Sequence, residues 1–337
     1  MIYNISGTGI NSAFNLNGEN IDSAFNIDGD KIFESGESPP NRNKPNYDYY
    51  DDQDPLKSYA WSYSLQDLKA LQNGNFTIGV QTDTHMHGDD ESTGTPLKNM
   101  TKQLYFDFIC NLGDMPQGYG SDTTEATRTY ITTMLDRYTD YVESPFLIAN
   151  GNHDNAAMSN PIISKSDMYD YYMGAVKGTT NIVEKGTPNL YYYKDFYECR
   201  VIVLDTCEYA DGGDGGVHKA LVSSEQITWL TNTALDTEKP VLILCHIPLL
   251  STLTSDTVTN RDLVLSALQN FISGGGTVVA VLCGHTHERR SEKSNGINHI
   301  VFDNGGTFAE VVFIDFDQRT ITTTGINVSS VSRSFTF

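Results

Sequence analysis

The chain has 337 residues, a length for one large domain with additions or for two smaller ones. Its formal net charge of −21 repels phosphate backbones and excludes sequence-independent binding of DNA or RNA. No apolar run approaches the ~18 residues of a membrane-spanning helix, and an apolar content of 39% excludes a wholly disordered chain.

The start, Met1 to Ser6, has neither a basic nor a long apolar segment, so no secretory signal is expected and the chain is expected to fold in the cytoplasm. Residues 1–45 are rich in Asn, Gly and Ser and carry a tandem, Ile10–Asn20 followed by Ile21–Lys31. Asn17-Gly18 and Asp28-Gly29 are tight-turn signals between β-prone residues, which predicts one small hairpin per unit. This β-rich extension is read as a docking segment for a protein partner or a second copy, or as a cap on the main domain. Pro39, Pro40, Pro45, Pro55 and the acidic run Asp48–Asp54 mark a connector. The expected organisation is an extension over 1–45, a linker with a first helix over 46–75, and the main domain over 76–337.

From there β-prone runs alternate with helical patterns. Strands are predicted over 76–82, 106–112, 145–149, 190–195, 200–204, 241–245, 277–283, 299–302 and 309–316, with a last pair near 321–324 and 331–337. Helices are predicted over 64–72, 96–105, 124–138, 165–175, 223–235 and 260–272. The last two open on capping residues, Ser223 and Thr259-Asn260, and Gly274 closes the final one. Alternating elements followed by a late run of strands indicate a layered α/β fold with a mixed sheet or a sheet pair. The cysteines Cys110, Cys199, Cys207, Cys245 and Cys283 show no CxxC spacing and lie mostly in apolar stretches, which predicts buried free thiols.

Five predicted strands end in short polar clusters: Asp83-Thr84-His85, Gly113-Asp114, Gly151-Asn152-His153-Asp154, His246-Ile247-Pro248 and Gly284-His285-Thr286-His287. Open α/β sheets bind ligands at the carboxyl edge of their strands, so clusters distant in sequence can converge. In extended backbone residues i and i+2 share a face, which aims Asp83 with His85, and His285 with His287, at one pocket. Gly113, Gly151 and Gly284 directly precede proposed ligands, where a missing side chain permits close approach. Imidazole with carboxylate and amide oxygen suits Mn, Fe, Zn or Ni better than Ca. Two dications against the Asp83 and Asp114 carboxylates leave a surplus of about two positive charges, which calls for a phosphoryl group. A pair of ions about 3.5–4 Å apart activates water and holds phosphoryl oxygens for in-line displacement.

The ordered set DxH, GD, GNHD, H and GHTH resembles the calcineurin-like metallophosphoesterases, and residues 76–316 carry the resemblance. It implies a four-layer αββα sandwich of two mixed β-sheets flanked by helices. It further implies that Asp83, His85 and His287 bind a first metal, that Asp114 bridges, and that Asn152, His246 and His285 complete a second. His153 stays off the metals as general acid, with Asp154 orienting its imidazole, and a metal-bridging hydroxide attacks the phosphorus. The chain departs from the family at Gln117, where an Asp is common. It also lacks the DxG and the metal-binding Tyr of the purple acid phosphatases, which argues against an Fe(III)-tyrosinate centre.

The expected activity is hydrolysis of a phosphate ester, a phosphodiester before a monoester, with manganese among the candidate ions. The tandem resembles attachment segments of phage or prophage tail-associated enzymes, which points to a virion-borne or lysis-released protein acting on a phosphorylated polymer such as teichoic acid. The alternatives are a phosphomonoesterase, a nuclease, and a virion-type structural or receptor-binding protein that keeps the fold. His87 and His218 are read as solvated loop residues, and Trp229 and the Tyr191–Tyr193 run as core and strand.

Overall fold

The computed structural model describes residues 23–25, 31–34, 65–72, 74–88, 93, 97, 100–101, 104–118, 122–139, 144–156, 162–179, 183–184, 189–208, 220–256, 258–306, 308–326 and 332–337. The chain divides into two compact units, Met1–Asn41 and Arg42–Phe337. In the first, strands β1 (Ser23–Phe25) and β2 (Lys31–Glu34) pair antiparallel on either side of the segment containing Asp28-Gly29. The Asn17-Gly18 turn, the connector, the Gly-rich stretch 211–217 with His218, and most of the helix predicted over 96–105 lie outside the described residues.

The second unit continues with β3 (Phe76–Gln81), β4 (Phe108–Asn111), β5 (Phe146–Ile148), β6 (Val183–Glu184), β7 (Tyr192–Asp195), β8 (Arg200–Val203) and β9 (Val241–Leu244). The remaining strands are β10 (Val278–Cys283), β11 (Arg290–Ser294), β12 (Ile297–Val301), β13 (Ala309–Asp315), β14 (Thr320–Ile326) and β15 (Arg333–Thr336). Helices are α1 (Leu65–Gln72), α2 (Thr124–Thr139), α3 (Lys165–Thr179), α4 (Ser224–Trp229) and α5 (Arg261–Ser273). One sheet has the order β15-β14-β13-β3-β4-β5 and the other β11-β12-β10-β9-β8-β7-β6. In each a run of strands is parallel, β3-β4-β5 and β8-β9-β10-β12, and the other pairings are antiparallel.

The apolar runs of β8 and β9 are buried on both faces, as central parallel strands must be. Val201, Val203, Leu242 and Leu244 face the space between the sheets, in one core with α2 and α3. Ile202, Leu204, Val241, Ile243 and Cys245 face outward, in a second core with Trp229 of α4 and Val264 and Leu268 of α5. The two cores make the sandwich four-layered, helices outside and sheets within. Tyr192 links the sheets: its hydroxyl accepts from the Ile148 amide at 2.8 Å and donates to the Ile148 carbonyl at 2.9 Å, satisfying the edge of β5. All five cysteines are buried free thiols, and Trp229 packs against Tyr191 at 4.8 Å.

Three local readings are corrected. Strand β11, Arg-Ser-Glu-Lys-Ser, is polar and has no apolar period, yet pairs with β12 through a turn at Asn295-Gly296, both at positive φ (49° and 83°). That dipeptide is the hairpin signal that marks it. The helix predicted over 223–235 ends at Trp229 and widens into a π turn over Leu230–Ala234. Asn260 does not cap α5 through its side chain; at φ 67° it turns away and its amide donates to the Val222 carbonyl at 3.0 Å.

His299 of β12 is fully buried on the α5-facing side, with neither ring nitrogen hydrogen-bonded. Burial pushes its imidazole down to about 4, against a weaker pull from Glu292. The unfolded chain therefore binds more protons than the folded one between pH 4 and 6.5, so stability falls as pH drops through that window. Up to about 3 kcal/mol is lost at pH 4 relative to pH 7. Urea unfolding of His299→Leu across that range is expected to show a shallower acid loss than wild type; parallel curves would refute the assignment.

Candidate dinuclear metal centre

The clusters follow β3, β4, β5, β9 and β10, whose carboxyl ends meet along one rim. Backbone hydrogen bonds lock neighbouring loops: the Asp83 amide to the Gly113 carbonyl (2.9 Å), the His85 amide to the Asp114 carbonyl (3.1 Å) and the Gly284 amide to the His246 carbonyl (3.0 Å). The sheets are joined where the His285 amide donates to Asp83 Oδ2 at 2.8 Å, an oxygen that also accepts from the Thr82 hydroxyl at 2.6 Å.

Five of the seven proposed ligands sit at positive φ: Asp83 (49°), His85 (45°), Asp114 (55°), His285 (74°) and His287 (55°). Each such residue costs about 1 kcal/mol or more, a strain found where surrounding structure overrides local preference. It changes how the pairs are aimed. The sharing of one face by residues i and i+2 rests on extended backbone, which these segments do not have. Asp83 and His85 still face one pocket, Oδ1 to Nε2 3.9 Å. His285 and His287 part, His287 toward Asp83 (3.2 Å) and His85 (3.0 Å), His285 toward His246 (3.2 Å).

Two donor groups result. Asp83, His85 and His287 form one. In the other, His246 Nε2 lies 3.2 Å from Asp114 Oδ2, 3.1 Å from Asn152 Oδ1 and 3.2 Å from His285 Nδ1. Ligands about 2.0–2.2 Å from a single ion stand about 2.8–3.6 Å apart at angles between square and tetrahedral. All spacings but the Asp83–His85 distance fall in that range, so the donors fit a cation in each group. Asp114 belongs to both neighbourhoods, clustering with His246 and His285 and also with His85 and His153.

The three glycines serve packing. A Cβ on Gly151 would lie 2.2 Å from both the Asp114 amide and its Oδ1; on Gly284, 2.0 Å from the Thr82 hydroxyl; on Gly113, 2.7 Å from His246 Nδ1. Only Gly113 also needs its conformation, at φ 102°.

The field inside the rim is set by buried carboxylates. Burial favours the neutral form of Asp83 and Asp114, but His287 and His246 beside Asp83, and His246 with His153 beside Asp114, hold both below the usual carboxylate range. Burial pushes His246 down, yet Asp114, Asp83 and Asp154 together raise it to about 10. Burial dominates at His85, down to about 4. Outer contacts orient the rings. His246 Nδ1 donates to the Leu112 carbonyl at 2.8 Å, leaving Nε2 to the site, and His153 Nδ1 donates to the Gln117 carbonyl at 2.6 Å.

That last contact corrects one role. Asp154 is fully buried and its oxygens accept from the Met115 amide (2.9 Å) and the Gly151 amide (2.7 Å), stitching the Asp114 loop to the Asn152 loop. Burial, then the nearby Asp114 charge, raises it to about 6. The Gln117 departure is likewise answered by the backbone, since its carbonyl and not its side chain holds His153. Sequence reasoning missed Asp256, whose Oδ2 accepts from His285 Nε2 at 2.6 Å; no spacing or motif marks it. His87 is exposed and pairs with Asp122 at 2.8 Å, and it belongs to neither donor group.

Comparison with known proteins agrees with this architecture. The family described as calcineurin-like phosphoesterase matches residues 76–289. A dimetal phosphatase from Danio rerio is similar in structure, with TM-score 0.59 and 15% identity, covering 76% of this chain and 98% of that one. GAP50, the anchor in the inner membrane complex of Plasmodium, aligns with TM-score 0.47 and 13% identity over 78% of this chain and 89% of its own. The phosphopantetheinyl hydrolase of Mycobacterium tuberculosis gives 0.43 and 12% over 69% and 91%. At 15% identity the likeness to the Danio rerio phosphatase is one of fold. No curated protein matches in sequence.

Gly151→Ala forces the Asp114 loop away and is expected to destabilise by about 1–3 kcal/mol and to abolish uptake of at least one ion. Gly174→Ala in α3, whose Cβ meets nothing within 4 Å, should be neutral or stabilising by up to about 1 kcal/mol. Thermal unfolding and elemental analysis distinguish the two; equal metal content in both variants would refute the packing argument.

Proposed function

Because the chain belongs to the calcineurin-like phosphoesterases, metal-dependent hydrolases of phosphate esters, we propose that its own substrate is a phosphodiester and that His153 is its general acid. The observation that carries the reading is the pair of donor groups joined by Asp114 at the meeting edge of two sheets. Asp83, His85 and His287 would hold one ion and Asn152, His246 and His285 the other, with Asp114 between. Such a pair, when bound, lowers the pKa of water and withdraws charge from phosphoryl oxygens.

The chain's residues do the rest. With Nδ1 given to the Gln117 carbonyl, His153 keeps Nε2 turned inward, 3.9 Å from Asp114 Oδ2. A proton held at Nε2 is placed to reach the leaving oxygen of an ester seated over Asp114. The His153 amide donates to Asp114 Oδ1 at 2.8 Å, so acid and bridging carboxylate keep a constant separation. The diester preference is supported by charge: at −21 the protein repels a monoester dianion more strongly than a diester monoanion. A glycerol-phosphate polymer of teichoic-acid type and a tail-borne setting are supported by the N-terminal tandem alone.

Hydrolysis of bis(4-nitrophenyl) phosphate, 4-nitrophenyl phosphate, a glycerol-phosphate polymer and short single-stranded DNA, each with Mn²⁺, tests this. The first is expected to turn over fastest and the DNA not at all. His153→Ala should lower kcat on the diester about 10²–10⁴-fold with both ions retained. Two bound ions with no turnover of any ester would favour the structural alternative.

A further inference from the structure

We propose that Asp256 is a positioning residue for the second cation, acting through His285; this rests on the dinuclear reading above. A histidine that ligates through Nδ1 must present Nε2–H to an acceptor, and that acceptor fixes tautomer, ring angle and basicity. His285 turns Nδ1 to the donor group, 3.2 Å from His246 Nε2, and Nε2 to Asp256 Oδ2 at 2.6 Å. His246 uses a neutral backbone carbonyl for the same purpose. His285 uses a charged side chain from a loop.

The charge arrangement shows why that matters. The first donor group has a carboxylate of its own, Asp83, besides the shared Asp114. The second has only neutral donors, Asn152, His246 and His285, besides Asp114. Asp256 supplies the missing negative charge one ring removed from the ion, where the imidazole transmits it as greater donor strength. The chain also delivers it from a related place. Asp256 lies ten residues beyond His246, on the loop leaving β9, so one segment provides a ligand and the support of its neighbour. The loop is held for this by its own turns, the Asp256 amide donating to the hydroxyl of buried Thr254 at 3.1 Å and the Leu253 amide to the Leu250 carbonyl at 3.0 Å, and by Leu249, Leu250 and Leu253 buried in the outer core. The Asp256 side chain itself is 52% exposed, so replacing it leaves the core intact.

The test titrates metal-stripped wild type, Asp256→Ala and Asp256→Asn with Mn²⁺ by calorimetry and with Co²⁺ by its visible absorption, and records metal-free thermal unfolding for each. Wild type is expected to take up two ions. Asp256→Ala should weaken one uptake step about 10–100-fold and alter one set of Co²⁺ bands, leaving the other step and the metal-free Tm unchanged. Asp256→Asn, which keeps an acceptor oxygen but not the charge, should fall between the two. Two ions bound alike by wild type and Asp256→Ala would overturn this inference alone. Equal weakening of both steps, or a lowered metal-free Tm, would overturn it in favour of a general structural role. A wild type that binds fewer than two ions would overturn the dinuclear reading, and this inference with it.

Discussion

Two carboxylates, Asp83 and Asp114, are removed from water at the edge where two sheets meet, at most 1% exposed. Burying a charge without compensation costs several kcal/mol, so the surrounding structure must supply positive charge and donors. The imidazoles do this from four strand ends, and two backbone amides and a hydroxyl do it without charge: the His285 amide and the Thr82 hydroxyl on Asp83, and the His153 amide on Asp114. An electrostatic demand of this kind is unfavourable for folding and favourable for binding dications.

Meeting that demand requires backbone to approach backbone more closely than side chains permit. The glycines at 113, 151 and 284 stand where a Cβ would strike a neighbouring loop or site side chain, and five of the proposed ligands accept left-handed backbone to reach their places. The local cost is repaid by the sandwich behind the rim. Central strands buried on both faces and a tyrosine hydroxyl pinning one sheet to the other leave the loops little freedom to relax. Strain at the rim and rigidity in the core are thus two sides of one design, as expected where function rather than stability sets the geometry.

Orientation of the His246 and His153 imidazoles is assigned to the main chain. Leu112 and Gln117 offer carbonyls to His246 and His153, and Asp154 spends its carboxylate holding two loops together. Backbone groups are insensitive to side-chain replacement, which explains how Gln can stand at position 117 without loosening the ring of His153. His285 is different, since its outer nitrogen faces the half-exposed carboxylate of Asp256.

Chain order, the sandwich and the residues that gather at its rim were legible in the sequence because each is written locally. Apolar runs ending in DxH, GD, GNHD, H and GHTH name both the strand and the residue at its end, whereas the polar strand β11 has no apolar period and went unread although Asn295-Gly296 precedes its partner. What the tertiary structure alone decided is how those residues are shared out. The parting of His285 from His287, the transfer of Asp154 from imidazole to backbone, the use of the Gln117 carbonyl and the arrival of Asp256 all depend on contacts between segments far apart in the chain or on left-handed torsions at loop residues. Periodicity encodes which face of a regular element a side chain occupies; it carries no information once the backbone leaves the strand, and there only packing sets direction.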